Sequence, residues 1–314
     1  MLKYIIGIIL IILLIAMLYL GWFFFCFAVT KEGKDLPNKG GHGAAASPWK
    51  KYTNVRKDDR KWARKLTGED LWITSKDKLR LHAKYYRTEN PKRIILCAHG
   101  YRATGLGDFA SQMRWLLRDS DILLIDERAC GESEGKYITF GAKEKQDILL
   151  WIQELANRNT AGLPVYLYGI SLGASAVLMA SVLEKNVKLS GVIADCGYSS
   201  MAKIVCELSK KWFKLPGYPL IWFISLYCVL LGHFRMGEAD VAGTLKKATV
   251  PVLLVHGMDD DFVVPSHSEV NYNACASKKR LLKIDHAWHA LAYLEDTKTY
   301  QNAMTQFFAE NDKA

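Results

Sequence analysis

The pentapeptide Gly169-Ile170-Ser171-Leu172-Gly173 carries the residues in this chain best placed to do chemistry. A serine between two glycines at that spacing suits a sharp strand-to-helix turn. The hydroxyl then stands clear of the sheet, and the first N–H groups of the following helix face a developing oxyanion. Ser171 is therefore the candidate nucleophile, and it needs a base to take its proton. Two histidines lie close together downstream, in Asp285-His286-Ala287-Trp288-His289-Ala290, and His289 is preferred because Ala290 and a helix follow it. An acid that fixes the tautomer of that histidine has three candidates in Asp259, Asp260 and Asp261, after His256-Gly257, with Asp195 as the next choice. The order along the chain is serine, aspartate, histidine. The loop Ala98-His99-Gly100-Tyr101 offers the backbone N–H of Tyr101 as one oxyanion donor, and Leu172 offers the other. His99 itself reads as structural.

These residues need a scaffold that brings them to one edge. Leu71 to Tyr86 alternates apolar and polar residues about Ser75-Lys76-Asp77-Lys78, the pattern of a half-buried hairpin. Buried strands are then expected at Arg93–Ala98, Asp121–Asp126, Val165–Tyr168, Leu189–Ala194, Val250–His256 and Arg280–Ile284. Helices are expected near Phe109–Arg118, Ala142–Asn157, Leu172–Leu183 and Pro265–Ala276. Strands alternating with helices make an α/β protein: a mainly parallel central sheet, helices on both faces, and a site at the strands' C-terminal ends. The glycine-rich loop from Asp126 to Gly135 reads as a braced turn. Met201 to Leu231 breaks the alternation with apolar and aromatic helices. It reads as a small lid lining an apolar pocket, with core packing as the alternative and a second membrane contact behind both.

At 314 residues, half of them hydrophobic, the chain can bury one large core and carry an appendage. Tyr4 to Val29 holds no charged side chain and is long enough to cross about 30 Å of hydrocarbon. It reads as an uncleaved transmembrane helix, because its apolar run outlasts a signal peptide's and ends in bulky Trp22-Phe23-Phe24-Phe25. Lys31 to Lys65 follows with eleven basic residues against four acidic ones, a charge suited to anionic lipid headgroups. No nucleic-acid motif accompanies it. Asn38 to Ser47 reads as a flexible tether, and Asp58 to Leu66 as a short amphipathic helix. The basic segment argues for a cytoplasmic domain and lone Lys3 for an exported one, so the side of the membrane stays open. Seven irregularly spaced cysteines give neither a disulfide framework nor a metal motif.

Taken in order, the hairpin, HGY, DERACGESEG, GISLG, DCGYSS, HGMDDDFVVP and DHAWHA resemble the α/β-hydrolase superfamily. Among its members the chain is most similar to the Bem46-like and YqkD-like membrane-anchored serine hydrolases, near the serine aminopeptidase (S33) and monoglyceride-lipase-like branch. The resemblance covers about Leu66 to the C-terminus. It implies Ser171, Asp260 and His289 as the triad. Counting back from Pro265 gives Asp261 instead, and Trp288 stands where the family commonly has glycine.

The expected organisation is a transmembrane anchor over 1–29, a basic flexible tether over 30–66 and a hydrolase domain over 67–314, with a lid at about 198–247. The expected activity is cleavage of lipid-like or other small acyl esters at a membrane, with no cofactor and no metal. A serine peptidase of the same fold is the alternative, and a non-catalytic binding protein the third reading.

Overall fold

The central sheet follows from strands that are apolar on both faces. In β3 (Arg93–Ala98), Ile94, Leu96 and Ala98 face one core while Ile95 and Cys97 face the other. β5 (Val165–Ile170) divides in the same way, with Val165 and Leu167 opposite Tyr166, Tyr168 and Ile170. The structure is a computed structural model and describes residues 1–32, 48–184 and 186–312. Eight strands lie in the order β1-β2-β4-β3-β5-β6-β7-β8. β1 (Glu69–Thr74) and β2 (Arg80–Tyr86) form the expected hairpin, and β2 joins β4 (Ser120–Ile125) antiparallel. From β4 through β6 (Gly191–Asp195), β7 (Val252–Gly257) and β8 (Lys279–Ile284) every pairing is parallel.

The expected strands and helices are all present, with ends moved by a few residues. The chain leaves β3 for β4 on one side and returns to β5 on the other. A crevice therefore opens at the C-terminal ends of β3 and β5, where ligands bind in open α/β sheets.

Eleven α-helices run through the described residues. After α1 (Leu2–Val29) and α2 (Thr53–Ala63), α3 (Gly105–Leu116) covers one face of the sheet with the C-terminal helix. α4 (Glu144–Arg158) and α5 (Leu172–Leu183) cover the other face. The lid expected at about 198–247 is α6 (Met201–Phe213), α7 (Gly217–Leu230) and α8 (Val241–Leu245). α9 (Ser266–Ala274), α10 (Ala292–Glu295) and α11 (Thr297–Asn311) complete the chain. All seven cysteines are free thiols.

Two N-terminal segments differ from the expectation of an anchor on a tether. α1 is long and apolar enough to cross a membrane. Its first sixteen residues are almost entirely exposed, but Gly21, Phe24, Phe25 and Val29 are buried against the domain. Gly21 is where α1 meets α7: a β-carbon there would lie 2.5 Å from Cβ of Phe223, so only glycine admits this approach. The end of α1 is also tied down by hydrogen bonds. Tyr101 Oη donates to the Ala28 carbonyl at 2.7 Å, Arg102 donates to the Phe27 and Thr30 carbonyls, and Ile138 N donates to the Val29 carbonyl.

Beyond it, the tether expected over 30–66 is partly folded. Pro48–Tyr52 forms a 3-10 turn and α2 packs on α3, where Arg114 pairs with Asp59 and lies over Trp62. The helix expected at 58–66 thus begins at Thr53, because Trp49 and Tyr52 give the segment apolar surface to bury. The tether reading of Asn38 to Ser47 falls outside the described residues.

Candidate active site

Ser171 sits at the break between β5 and α5 with φ +55° and ψ −112°, a conformation costing a non-glycine residue on the order of 1–3 kcal/mol. Its neighbours hold it there. Ser171 N donates to the Asp195 carbonyl at 2.8 Å, and its own carbonyl accepts from Ser175 N at 3.1 Å. The flanking glycines are required by contact. A β-carbon on Gly169 would collide with Gly173 and Ala174, and one on Gly173 with Ala98 of β3. Two strands and a helix can meet this closely only without those side chains, and the strain at Ser171 is the result.

The histidine comes from the loop after β8. That loop is fastened to the one after β7: Met258 N donates to the Ile284 carbonyl and Asp259 N to the Ala287 carbonyl. His289 Nε2 then lies 2.9 Å from Ser171 Oγ, and its Nδ1 lies 2.7 Å from Asp260 Oδ2. Asp260 is buried, and its other oxygen accepts from the N–H groups of Phe262 and Val263, both at 2.9 Å. Burial alone would raise this carboxyl, but the adjacent imidazoles of His289 and His256 hold it down at about 2. Burial works against the His289 imidazolium, and the Asp260 carboxylate outweighs it. The histidine therefore titrates above its ordinary value.

The structure separates the competing acids. Asp261 points to the lid, where it pairs with Lys211 at 2.7 Å. Asp259 is exposed, 3.8 Å from His286, itself 85 % exposed. Asp195 is buried below the site and accepts from Tyr300 Oη at 3.0 Å. Only Asp260 reaches His289. Phe262 and Val263 fold back onto the Asp260 carboxylate, which leaves Asp261, the residue given by the proline-based count, on the outside of the turn.

Gly100 brings the loop after β3 against Ser171, since a β-carbon there would be 3.4 Å from Cβ of Ser171. Tyr101 follows it in the chain, and Leu172 follows Ser171 and opens α5. Asp108 holds this loop by accepting from Gly100 N at 2.8 Å. His99 is structural as expected: Nδ1 donates to the Gly100 carbonyl and Nε2 accepts from Glu127 N. The loop after β4 is braced as expected, with Arg128 forked onto Asp147 and reaching Asp77. Cys196, Asp260 and His289 place three possible metal-ligand atoms together, but the two non-sulfur members are bonded to each other and burial pushes the Cys196 thiol far up. That donor set fits a proton relay with a packed thiol, and it does not fit a metal centre.

Two cavities meet at Ser171. One is an apolar chamber of about 70 Å³ walled by Leu172, the α6 residues Met201, Val205 and Leu208, and Phe262. Another part of its wall is the end of α1, namely Phe24, Phe27, Ala28 and Val29. The other is a wider, open cleft of about 670 Å³ lined by His289, Trp288, Asp108, Trp49, Arg56 and Arg60. The lid thus does line an apolar pocket. The α1 and α2 walls were missed because a uniform apolar run and a basic helix read as anchor and tether. The only sequence signal was the aromatic cluster at the end of α1, unneeded by a plain membrane span.

No family model matches the chain. It is 27 % identical over 220 residues to the uncharacterised protein YqkD of Bacillus subtilis, spanning 70 % of this chain and 72 % of that one. It is 24 % identical over 255 residues to the α/β-hydrolase domain-containing protein WAV2 of Arabidopsis thaliana, covering 77 % and 79 %. Among solved structures it is similar to the Pyrococcus furiosus esterase Pf2001, with a TM-score of 0.61, 20 % identity, and coverage of 79 % and 92 %. The chain has the α/β-hydrolase fold.

Proposed function

We propose that this chain is a membrane-anchored serine hydrolase of the Bem46-like and YqkD-like kind that cleaves carboxylic acyl esters. The observation that carries this reading is the hydrogen-bonded chain Ser171–His289–Asp260, set between an apolar chamber and an open cleft. Ser171 Oγ attacks the ester carbonyl while His289 Nε2 takes its proton. Asp260 steadies the resulting imidazolium. The N–H groups of Tyr101 and Leu172 receive the oxyanion, each such donor contributing roughly 10²–10³-fold in rate. The tetrahedral intermediate collapses, its C–O bond breaks, and His289 gives the proton to the departing alcohol. Water repeats the sequence on the acyl-serine and releases the acid. No step draws on a cofactor.

The apolar chamber supports a hydrocarbon acyl group. A peptidase that captures a free terminal amine needs surplus negative charge beside the site. The cleft holds Asp108 against Arg56 and Arg60, which argues for the ester. α1, with its long apolar exposed stretch, supports the membrane setting.

The test is hydrolysis of 4-nitrophenyl esters of increasing chain length alongside aminoacyl 4-nitroanilides, using the full chain in detergent with Ser171→Ala as blank. Ester turnover that rises with chain length is expected. Anilide turnover without ester turnover overturns the reading, as does failure of a fluorophosphonate to label Ser171.

A further inference from the structure

We propose that the open cleft is a subsite for an anionic leaving group, so that the substrates are acyl esters whose alcohol carries a phosphate or carboxylate. This rests on the ester-hydrolase reading and goes beyond it by assigning the two sides of the ester. His289 must protonate the departing oxygen, so the alcohol lies on the His289 side. His289 lines the cleft and is absent from the walls of the apolar chamber, which leaves the chamber for the acyl chain.

The cleft carries unspent positive charge. Arg56 and Arg60 stand one turn apart on α2, a spacing at which like charges repel unless something lies between them. Among the described residues Arg60 makes no ion pair, and its Nε is shut away from solvent without a hydrogen-bond partner. The acid nearest Arg56 is Asp108 at 3.9 Å, which is already accepting from Gly100 N. Burial pushes Arg56 down to about 10 despite Asp108, as expected of a cation short of counter-charge. Arg102 also borders the cleft, but it reaches the carbonyls at the end of α1. The two arginines are held in position: Arg56 lies 4.1 Å over Trp49, and α2 is pinned through Asp59 to Arg114. A preorganised pair of guanidinium groups binds phosphate or carboxylate in a forked geometry without first being ordered.

The probe is a chromogenic ester pair that differs only in leaving-group charge: 4-nitrophenyl octanoate and its 3-carboxy-4-nitrophenyl analogue. The same pair is made as acetates, and the full chain in neutral detergent is compared with Arg60→Gln, Arg60→Lys and Lys61→Gln. Lys61 is exposed on the same helix and reports general surface charge. We expect the wild type to favour the carboxylated ester in kcat/KM, Arg60→Gln to lower that preference about tenfold through KM, and Arg60→Lys to restore most of it. Preference for the carboxylated octanoate over the carboxylated acetate points to a lipid headgroup as the natural anion. Equal preference points to a soluble ester, and both outcomes keep the subsite. No preference in the wild type, or an equal loss in Lys61→Gln, overturns it. If neither ester is turned over and Ser171 takes no fluorophosphonate, the hydrolase reading has failed instead.

Discussion

The two cavities that meet at Ser171 differ in where their walls come from. The candidate reacting groups stand on the sheet: Ser171 after β5, Asp260 after β7, His289 after β8 and the Gly100 loop after β3. The far wall of the apolar chamber is the end of α1, and that of the cleft is α2, both ahead of the first strand. One contributes Phe24, Phe27, Ala28 and Val29, the other Arg56 and Arg60, with Trp49 from the turn before it. On the proposed reading the scaffold carries the reaction, and two N-terminal segments of opposite chemistry each add a wall to one side of the ester site. If that reading holds, a chain with the same sheet and another N-terminus keeps the reaction and takes other esters.

The largest test removes what the cavities share. Ser171→Ala is expected to lower turnover of every ester by about 10⁴-fold or more, with the chain still folded by circular dichroism. If one substrate class survives, the cavities do not serve one nucleophile.

Next in size is the pair Asp260→Asn and Asp261→Asn. The first should cost on the order of 10³–10⁴ in kcat on all esters by freeing the wrong tautomer of His289. The second loosens the Lys211 contact to the lid and should stay within a few-fold. Comparable losses in both would contradict the separation of the two acids.

A change confined to one cavity should act on one side of the ester. Ala28→Trp fills the chamber and is expected to lower the dodecanoate-to-acetate ratio of kcat/KM by about tenfold or more, sparing the carboxylate preference. Loss of both preferences together would merge the cavities into one.

The smallest effect is in pH. His289 must be neutral to accept the Ser171 proton, and Asp260 raises its pKa. Activity is therefore lost as pH falls through a value above the ordinary histidine figure of about 6.5. The acidic limb of kcat/KM should lie there for acetate and dodecanoate alike. A limb at or below 6.5, or different limbs for the two chain lengths, would show a base controlled from one cavity alone.

The fold was legible because strands buried on both faces announce themselves as short apolar runs between turns. The serine turn was legible because Gly169 and Gly173 are demanded by contacts among β3, β5 and α5. Choosing between Asp260 and Asp261 required the path of the turn. Spacing cannot show that the N–H groups of Phe262 and Val263 close on one carboxylate. The walls supplied by α1 and α2 were not legible for a different reason. An apolar residue that faces lipid and one that faces an apolar chamber have the same side chain, and an arginine on a solvated face looks like one in a cleft. Partners remote in sequence, such as Phe223 for Gly21, decide between them.

The contact between Gly21 and Phe223 also acts as a depth gauge. About twenty residues are needed to cross the hydrocarbon of a bilayer. Counted from Tyr4, the first residue after the charge of Lys3, they end at Phe23, two residues past the contact. With α1 across a bilayer, the segment of α7 beside Gly21 shares its depth, and the exposed Tyr218 and Trp222 lie at the height of an aromatic belt. On the proposed ester-hydrolase reading, a substrate dissolved in the leaflet meets the lid by lateral diffusion. The expected outcome is turnover that follows its mole fraction among the lipids, so that diluting it with inert lipid slows the reaction while diluting the whole suspension with buffer does not.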